Sequence, residues 1–178
     1  MQRIWITGES GSGKTTLARC LGTKYNIPVY HRDSITWGKN DYVRSDEEQL
    51  EIIKKFTSDD CWIFEGNMFT LSKKDGRFDK CDTIIHLKVN RFLRVYRMFT
   101  RWLRHKNNPR PEFNEGCKEE FPIHMIPKII FGTGKDKDRD KIRSEARELS
   151  KNVIVLNGVK AIKKFYKKHD LHYCKEET

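Results

Sequence analysis

Gly8-Glu9-Ser10-Gly11-Ser12-Gly13-Lys14-Thr15 fits the pattern G-x-x-x-x-G-K-[ST] in full. A glycine-rich turn of this kind lets backbone N–H groups wrap the phosphates of a nucleoside triphosphate. The lysine reaches the β- and γ-phosphates, and the following hydroxyl holds Mg²⁺. The pattern carries that meaning only between a strand and a helix. Arg3-Ile4-Trp5-Ile6-Thr7 in front of it is rich in β-branched and aromatic residues. Behind it Leu17, Ala18 and Leu21 recur at helical spacing, with an end expected near Asn26 and Pro28. A chance glycine–serine turn would have neither flank. The glycines permit close backbone approach, and the helix N-terminus adds a dipole favourable to anions.

The same alternation continues along the chain. Short apolar runs at 28–31, 61–65, 82–87 and 152–156 read as four further strands. Between them lie helical patterns: one opened by the capping-box residues Ser45 and Glu48, a basic one over 90–105, a charged one over 136–150 and a closing one over 159–169. Strands alternating with helices predict an α/β fold, a three-layer nucleotide-binding architecture with a five-stranded parallel sheet covered on both faces. Residues 1–170 are expected to form one domain, with a short helical or irregular lid at about 104–136 and a flexible tail at 171–178. Residues 32–44 and 66–80 read as loops, and 121–131 as apolar but broken by Pro122 and Pro127.

Composition narrows the partners. A net charge of +11 over 178 residues points to anions: nucleotides, nucleic acid or an acidic surface. No apolar run approaches the ~20 residues of a spanning helix, so no membrane role is expected. The N-terminus runs straight into the first strand, leaving no room for a signal peptide. The five cysteines are scattered, with no C-x-x-C or zinc spacing. Reduced thiols and a cytoplasmic setting are the expectation.

Ligands of parallel α/β sheets sit beyond the carboxyl ends of the strands, which gathers the phosphate loop, Asp33 and Glu65 at one edge. The chain lacks a D-x-x-G and an N-K-x-D, which argues against a guanine-specific GTPase. Phosphoryl transfer to a small acceptor needs cations that close over the transferred group. Arg94, Arg97, Arg101 and Arg104 share one arc of the basic helix, and no acid occurs between Thr83 and Pro111. Like charges at these spacings disfavour an isolated helix, so an external anion is their natural partner. Phe92, Tyr96, Phe99 and Trp102 lie between them. They suit either base stacking or, the commoner use of that spacing, a helix core. Nucleic acid is therefore kept as an alternative partner.

On these residues the chain resembles the adenylate-kinase-like P-loop kinases. More narrowly it resembles the group described as DNA topology modulation or FlaR-related proteins. His31-Arg32-Asp33-Ser34-Ile35-Thr36-Trp37 matches that group's acid and aromatic after the second strand. Trp62-Ile63-Phe64-Glu65-Gly66-Asn67 matches its W-[IV]-[IV]-D-G-N, with Glu65 in place of Asp. Gly116-Cys117-Lys118-Glu119-Glu120-Phe121 follows the arginine helix as its G-C-x-E-x-F does. The resemblance spans residues 2 to about 165.

The resemblance implies an ATP- and Mg²⁺-dependent transfer of the γ-phosphate to a small hydroxyl or phosphate acceptor, a nucleoside or nucleotide first. Gly8, Ser10, Gly11, Ser12, Gly13 and Lys14 would cradle ATP, with Thr16 at the α-phosphate and Asn157 near adenine. Thr15 and Glu65 would serve the metal. Arg97 and Arg101 would act on the transferred phosphate. Asp33 would act as base or orient the acceptor hydroxyl, with Trp37, Asn67 and Arg77 binding the acceptor. Arg139 and Arg143 read as closing arginines or, with the acids on their helix, as a salt-laced surface. His31, His86 and His105 read as structural. Neither acceptor identity nor oligomeric state is legible.

Overall fold

The computed structural model describes residues 2–69, 71–106, 114–116, 123–131 and 136–172. Five strands form one sheet: β1 (Arg3–Gly8), β2 (Val29–His31), β3 (Trp62–Glu65), β4 (Thr83–Lys88) and β5 (Asn152–Asn157). Their order is β2-β3-β1-β4-β5, and every pairing is parallel. β1 lies at the centre because nearly all of its side chains are buried, as a strand covered on both faces requires.

Two helices cover one face. α1 (Lys14–Tyr25) contributes Leu17, Ala18 and Leu21, and α8 (Gly158–Lys168) contributes Ile162, Phe165 and Tyr166, all against Ile4, Ile6, Ile63 and Ile85. The opposite face packs Trp5, Trp62, Phe64 and Ile84 against Ile53 and Phe56 of α3 (Asp46–Phe56) and Ile142 and Ala146 of α7 (Asp136–Glu148). The helix starts follow local chemistry. Ser45 and Glu48 close the expected capping box on α3, and Asn90 caps α5 (Arg91–His105) by accepting from the Phe92 N–H. α1 ends where Asn26 adopts a left-handed conformation.

Three stretches depart from the sequence reading. Residues 32–44 are not all loop: α2 (Arg32–Thr36) follows β2 directly, and a 3₁₀ turn covers Lys39–Asp41. The short α2 is held from outside, since one Arg44 guanidinium nitrogen donates to the carbonyls of Ser34, Ile35 and Trp37. α4 (Arg77–Lys80) forms inside the second expected loop. α6 (Met125–Phe131) is a helix despite Pro127, because proline in a first turn removes an N–H that has no intrahelical partner. Parts of the expected lid, the Cys117–Phe121 portion of the family mark and the end of the tail lie outside the described residues. No helix among the described residues is long and apolar enough to cross a membrane.

α5 reverses an expectation. Phe92, Tyr96 and Phe99 are not core: Phe92 is 66% and Tyr96 64% exposed, while Arg94 on the other side is buried. The helix presents its arginine face to the molecule because acceptors wait there, as the next subsection shows.

Arg77 also corrects the sequence reading. It does not bind an acceptor but belongs to the core, fully buried. Its guanidinium donates to Asp75 at 3.0 Å and to the Met68 carbonyl at 2.8 Å. It lies over the rings of Phe64 and Trp5, at 4.0 and 4.7 Å from their centroids. Burial lowers its pKa to about 10, the Asp75 charge opposing that shift. Removing one partner of such a pair strands a buried charge. Asp75→Asn should therefore lower the unfolding free energy by about 3–5 kcal/mol, measured by urea denaturation.

Candidate active site

The phosphate loop joins β1 to α1 at the carboxyl edge of the sheet. Gly13 sits at the helix N-cap with φ of 97°, and the turn is closed by the Ser12 N–H donating to the Glu9 carbonyl at 3.1 Å. Gly11 has φ of 76°, and a Cβ there would lie 2.6 Å from the Arg94 carbonyl oxygen. Glycine is required because α5 leans directly on the loop.

Register brings the acids in. β3 runs beside β1, so Glu65 ends level with Ile6, and β2 pairs His31 with Glu65. The buried Glu65 carboxylate gathers the residues at the end of the loop that enters α1. Thr15 donates to its Oε2 at 3.3 Å, His31 Nδ1 lies 3.2 Å from the same oxygen, and Lys14 Nζ is 3.6 Å from Oε1. Burial pushes this carboxyl up. The Lys14 charge first, then His31 and Thr15, overcome that and hold it at about 2. Lys14 also donates to the Glu9 carbonyl at 3.3 Å. The lysine is thus stationed at the loop mouth by groups that can release it.

Mg²⁺ is the metal this family resemblance implies, and the donor set fits it. Thr15 and Glu65 offer a hydroxyl and an ionised carboxylate side by side. Hard oxygen donors in small number, completed by phosphates and water, suit Mg²⁺ better than an all-protein cage. No cluster of three or more His, Cys, Asp or Glu that could hold a metal occurs among the described residues.

A cleft of about 680 Å³ opens over the loop. Ser10, Gly11, Ser12, Gly13, Thr15 and Thr16 form its floor. α5 supplies Arg97, Thr100, Arg101 and Arg104 along one wall, and Arg97 donates to the Ser12 and Gly11 carbonyls at 3.3 and 3.4 Å. Asp33, at the second position of α2, lines the same cleft beside Arg32. Asn67 lines it too, but its Oδ1 accepts the Gly8 N–H at 3.0 Å. That bond leaves the amide NH₂ of Asn67 as a donor for a ligand. Gly66 has φ of 141°, and a Cβ there would fall 2.3 Å from Arg32 Cβ, so this turn lets α2 close against β3.

Several expected site residues lie elsewhere. Trp37 does not line the cleft; it sits past α2 in an isolated bridge to Val43. Its backbone carbonyl accepts from Asn114, and Lys39 pairs with Glu115 at 2.9 Å, so residues 114–116 dock on this loop. Asn157 is exposed at the end of β5, and the cleft wall there is Val159, Ile162, Lys163 and Tyr166 of α8. Gly8 contributes through its backbone N–H rather than by lining the cleft. Arg143 pairs with Asp140 on its own helix, the salt-laced arrangement; the Arg139 side chain is outside the described residues. Sequence reasoning missed Arg19, Arg32 and Lys163 as cleft cations and His31 as a partner of Glu65, whereas Arg104 lines the cleft with the arginines it was grouped with. Only His31 had a usable signal, its place at the end of a strand next to the one bearing Glu65.

The chain matches no family model and no curated protein. Among solved structures it superposes on a "putative kinase" from Chloroflexus aurantiacus J-10-fl with a TM-score of 0.53, at 13% identity over 93% of this chain and 96% of that one. The fold is the P-loop kinase fold. Shikimate kinases from Aquifex aeolicus VF5 (TM-score 0.49, 16% identity, 94% and 96% covered) and Bacteroides thetaiotaomicron (0.48, 15%, 96% and 99%) align over similar lengths. At these identities the likeness concerns architecture. None of these comparisons bears out the narrower resemblance to the DNA topology modulation group, which is a reading of the sequence marks. The loop, Asp33 and Glu65 stand at the carboxyl edge of a parallel sheet, where ligands of such sheets bind.

The depressed Glu65 pKa sets a pH dependence. Its folded value lies below the ordinary 4.5, so its contribution to stability is present above about 4.5 and is lost as pH falls towards 2. Glu65→Gln should shallow the acid limb of a Tm-against-pH curve between those values and leave its slope above pH 6 unchanged.

Proposed function

We propose that this protein is an ATP-dependent phosphotransferase that moves the γ-phosphate to a small hydroxyl or phosphate acceptor, with nucleosides and nucleotides the first class to test. One observation carries the reading. A complete phosphate loop, an ionised Glu65 beside Thr15 and Lys14, the acid Asp33 and Arg97, Arg101 and Arg104 of α5 all face a single cleft. A protein that only bound a triphosphate would have no use for an acid opposite the loop and a wall of arginines.

The roles follow from placement. The loop N–H groups and Lys14 hold the β- and γ-phosphates, and Lys14 leaves Glu65 to do so. Thr15 and Glu65 would hold Mg²⁺, which there would supply neutralisation of charge on the β- and γ-phosphate oxygens. Arg97 and Arg101 stand on the opposite wall, where charge develops on the transferred group. The apolar and aromatic residues of α8 offer a surface for the base. Asp33 takes or orients the acceptor hydroxyl, with Arg32 and the Asn67 amide beside it. The nucleic-acid alternative gains exposed aromatics on α5 but loses their cations, because Arg94, Arg97 and Arg101 turn to the other side of that helix.

ADP release measured across nucleosides, nucleotides and small alcohols tests the reading. Lys14→Ala should abolish turnover on whichever acceptor the wild type uses; equal turnover in both proteins on every acceptor would end it. Asp33→Asn should lower kcat by about 10²–10⁴-fold and leave KM for ATP within threefold. A selective rise in ATP KM would remove Asp33 from the acceptor side.

A further inference from the structure

The second residue of the phosphate loop is an acid. Glu9 places a carboxylate in a turn whose task is to collect three phosphates, and at close range like charges repel strongly in a partly desolvated site. The structure answers that charge with Arg94. Arg94 pairs with Glu9 from α5 and is almost entirely buried, its side chain 4% exposed against 32% for Glu9. The same guanidinium donates through Nη2 to the Ile129 carbonyl of α6 at 3.1 Å. One helical turn before it, at the start of α5, Arg91 donates to the Ile130 carbonyl at 2.8 Å. One turn further along, Arg97 holds the loop carbonyls of Gly11 and Ser12. The Arg94 backbone itself lies against Gly11. α5 thus meets the loop through Arg94 and Arg97 and meets α6 through Arg91 and Arg94, so Arg94 is common to both.

We propose that Arg94 is a positioning residue that neutralises Glu9, allowing the loop to accept a triphosphate, and at the same time ties α6 to the loop. Arg94 does not line the cleft and touches no phosphate. It acts by cancelling the one carboxylate that the loop sequence places among phosphate-binding N–H groups. Loop and α6 share a guanidinium, so a shift of the loop on nucleotide binding is felt at the Ile129 carbonyl.

The inference rests on the phosphotransferase reading, and a charge-removal test separates the two. MgATP affinity is titrated with a fluorescent ATP analogue for wild type, Lys14→Ala, Arg94→Met and the pair Arg94→Met/Glu9→Gln, with backbone amide exchange followed over α6. Loss of binding in Lys14→Ala shows that the loop is the nucleotide site, whatever Arg94 does. A wild type that binds no ATP overturns both claims. Arg94→Met takes this cation from the Glu9 carboxylate of the loop and should weaken binding at least tenfold. Removing the Glu9 charge in that background should restore affinity to within threefold of wild type, while α6 amides still exchange faster than in wild type. A residue that merely held the fold would give a double variant as weak as the single one, and that result overturns the proposal. So does wild-type affinity in Arg94→Met. Should Arg94→Met not fold, Arg94→Lys decides. It keeps the charge but lacks the planar fork that serves two acceptors, so affinity should stay within threefold while α6 exchange accelerates. A folded Arg94→Lys with tenfold weaker binding and unchanged α6 exchange would refute the proposal.

Discussion

A phosphate-binding loop without its phosphate is an unstable object. Its N–H groups converge, a helix dipole points into the space, and a lysine must stand close by. Here that concentration of positive charge is held by Glu65. The carboxylate lies where β3 ends beside β1, and it takes Lys14 on one oxygen and Thr15 with His31 on the other. Burial alone would raise its pKa; the partners more than offset that and keep it charged. The sheet register fixes Glu65, Glu65 fixes the loop residues, and the loop fixes the floor of the cleft. A glutamate rather than an aspartate suits this arrangement, because its longer arm spans from the strand end to both the loop and β2.

α5 completes the constraint from the other side. Its arginines are spaced to share one face, and that face is turned inward because carbonyls and a carboxylate are offered there: Gly11, Ser12, Ile129 and Glu9. An arginine face can be buried when each guanidinium meets acceptors. The core on this side is therefore polar, and the apolar stripe of the same helix is left outside. Hydrophobic periodicity identifies which residues share a face. It does not decide which face is inside when charged partners compete for the interior.

That distinction explains what was legible in the sequence. The phosphate loop, the five strands and the capping box on α3 are local signals. Each depends on a few consecutive residues, and each holds to within a residue or two. The gathering of Lys14, Thr15, Asp33 and Glu65 follows from a topological rule about strand ends, so it was legible as well. Arg77 was not. It stands just before a strand, as an acceptor-binding arginine would, but Asp75 two residues earlier and the rings of Trp5 and Phe64 from distant strands draw it into the core. Trp37 fails for a similar reason: its position is set by the Arg44 and Asn114 contacts that fold the loop after α2. Such long-range pairings have no signature in spacing.

The same logic bears on how the site is divided. The loop and Glu65 belong to the rigid centre of the sheet, bound by strand register. Asp33 and Arg32 belong to α2, a five-residue helix with Ile35 as its one buried side chain, secured from without by Arg44 and Asn114. The arginines of α5 belong to a helix attached to the loop by side chains. The two walls of the cleft therefore differ in stiffness: the loop wall is built on burial, the α2 wall on a handful of hydrogen bonds, each worth of order 1 kcal/mol. The transfer proposed above needs that asymmetry, since a triphosphate must be held in one geometry while an acceptor enters and leaves.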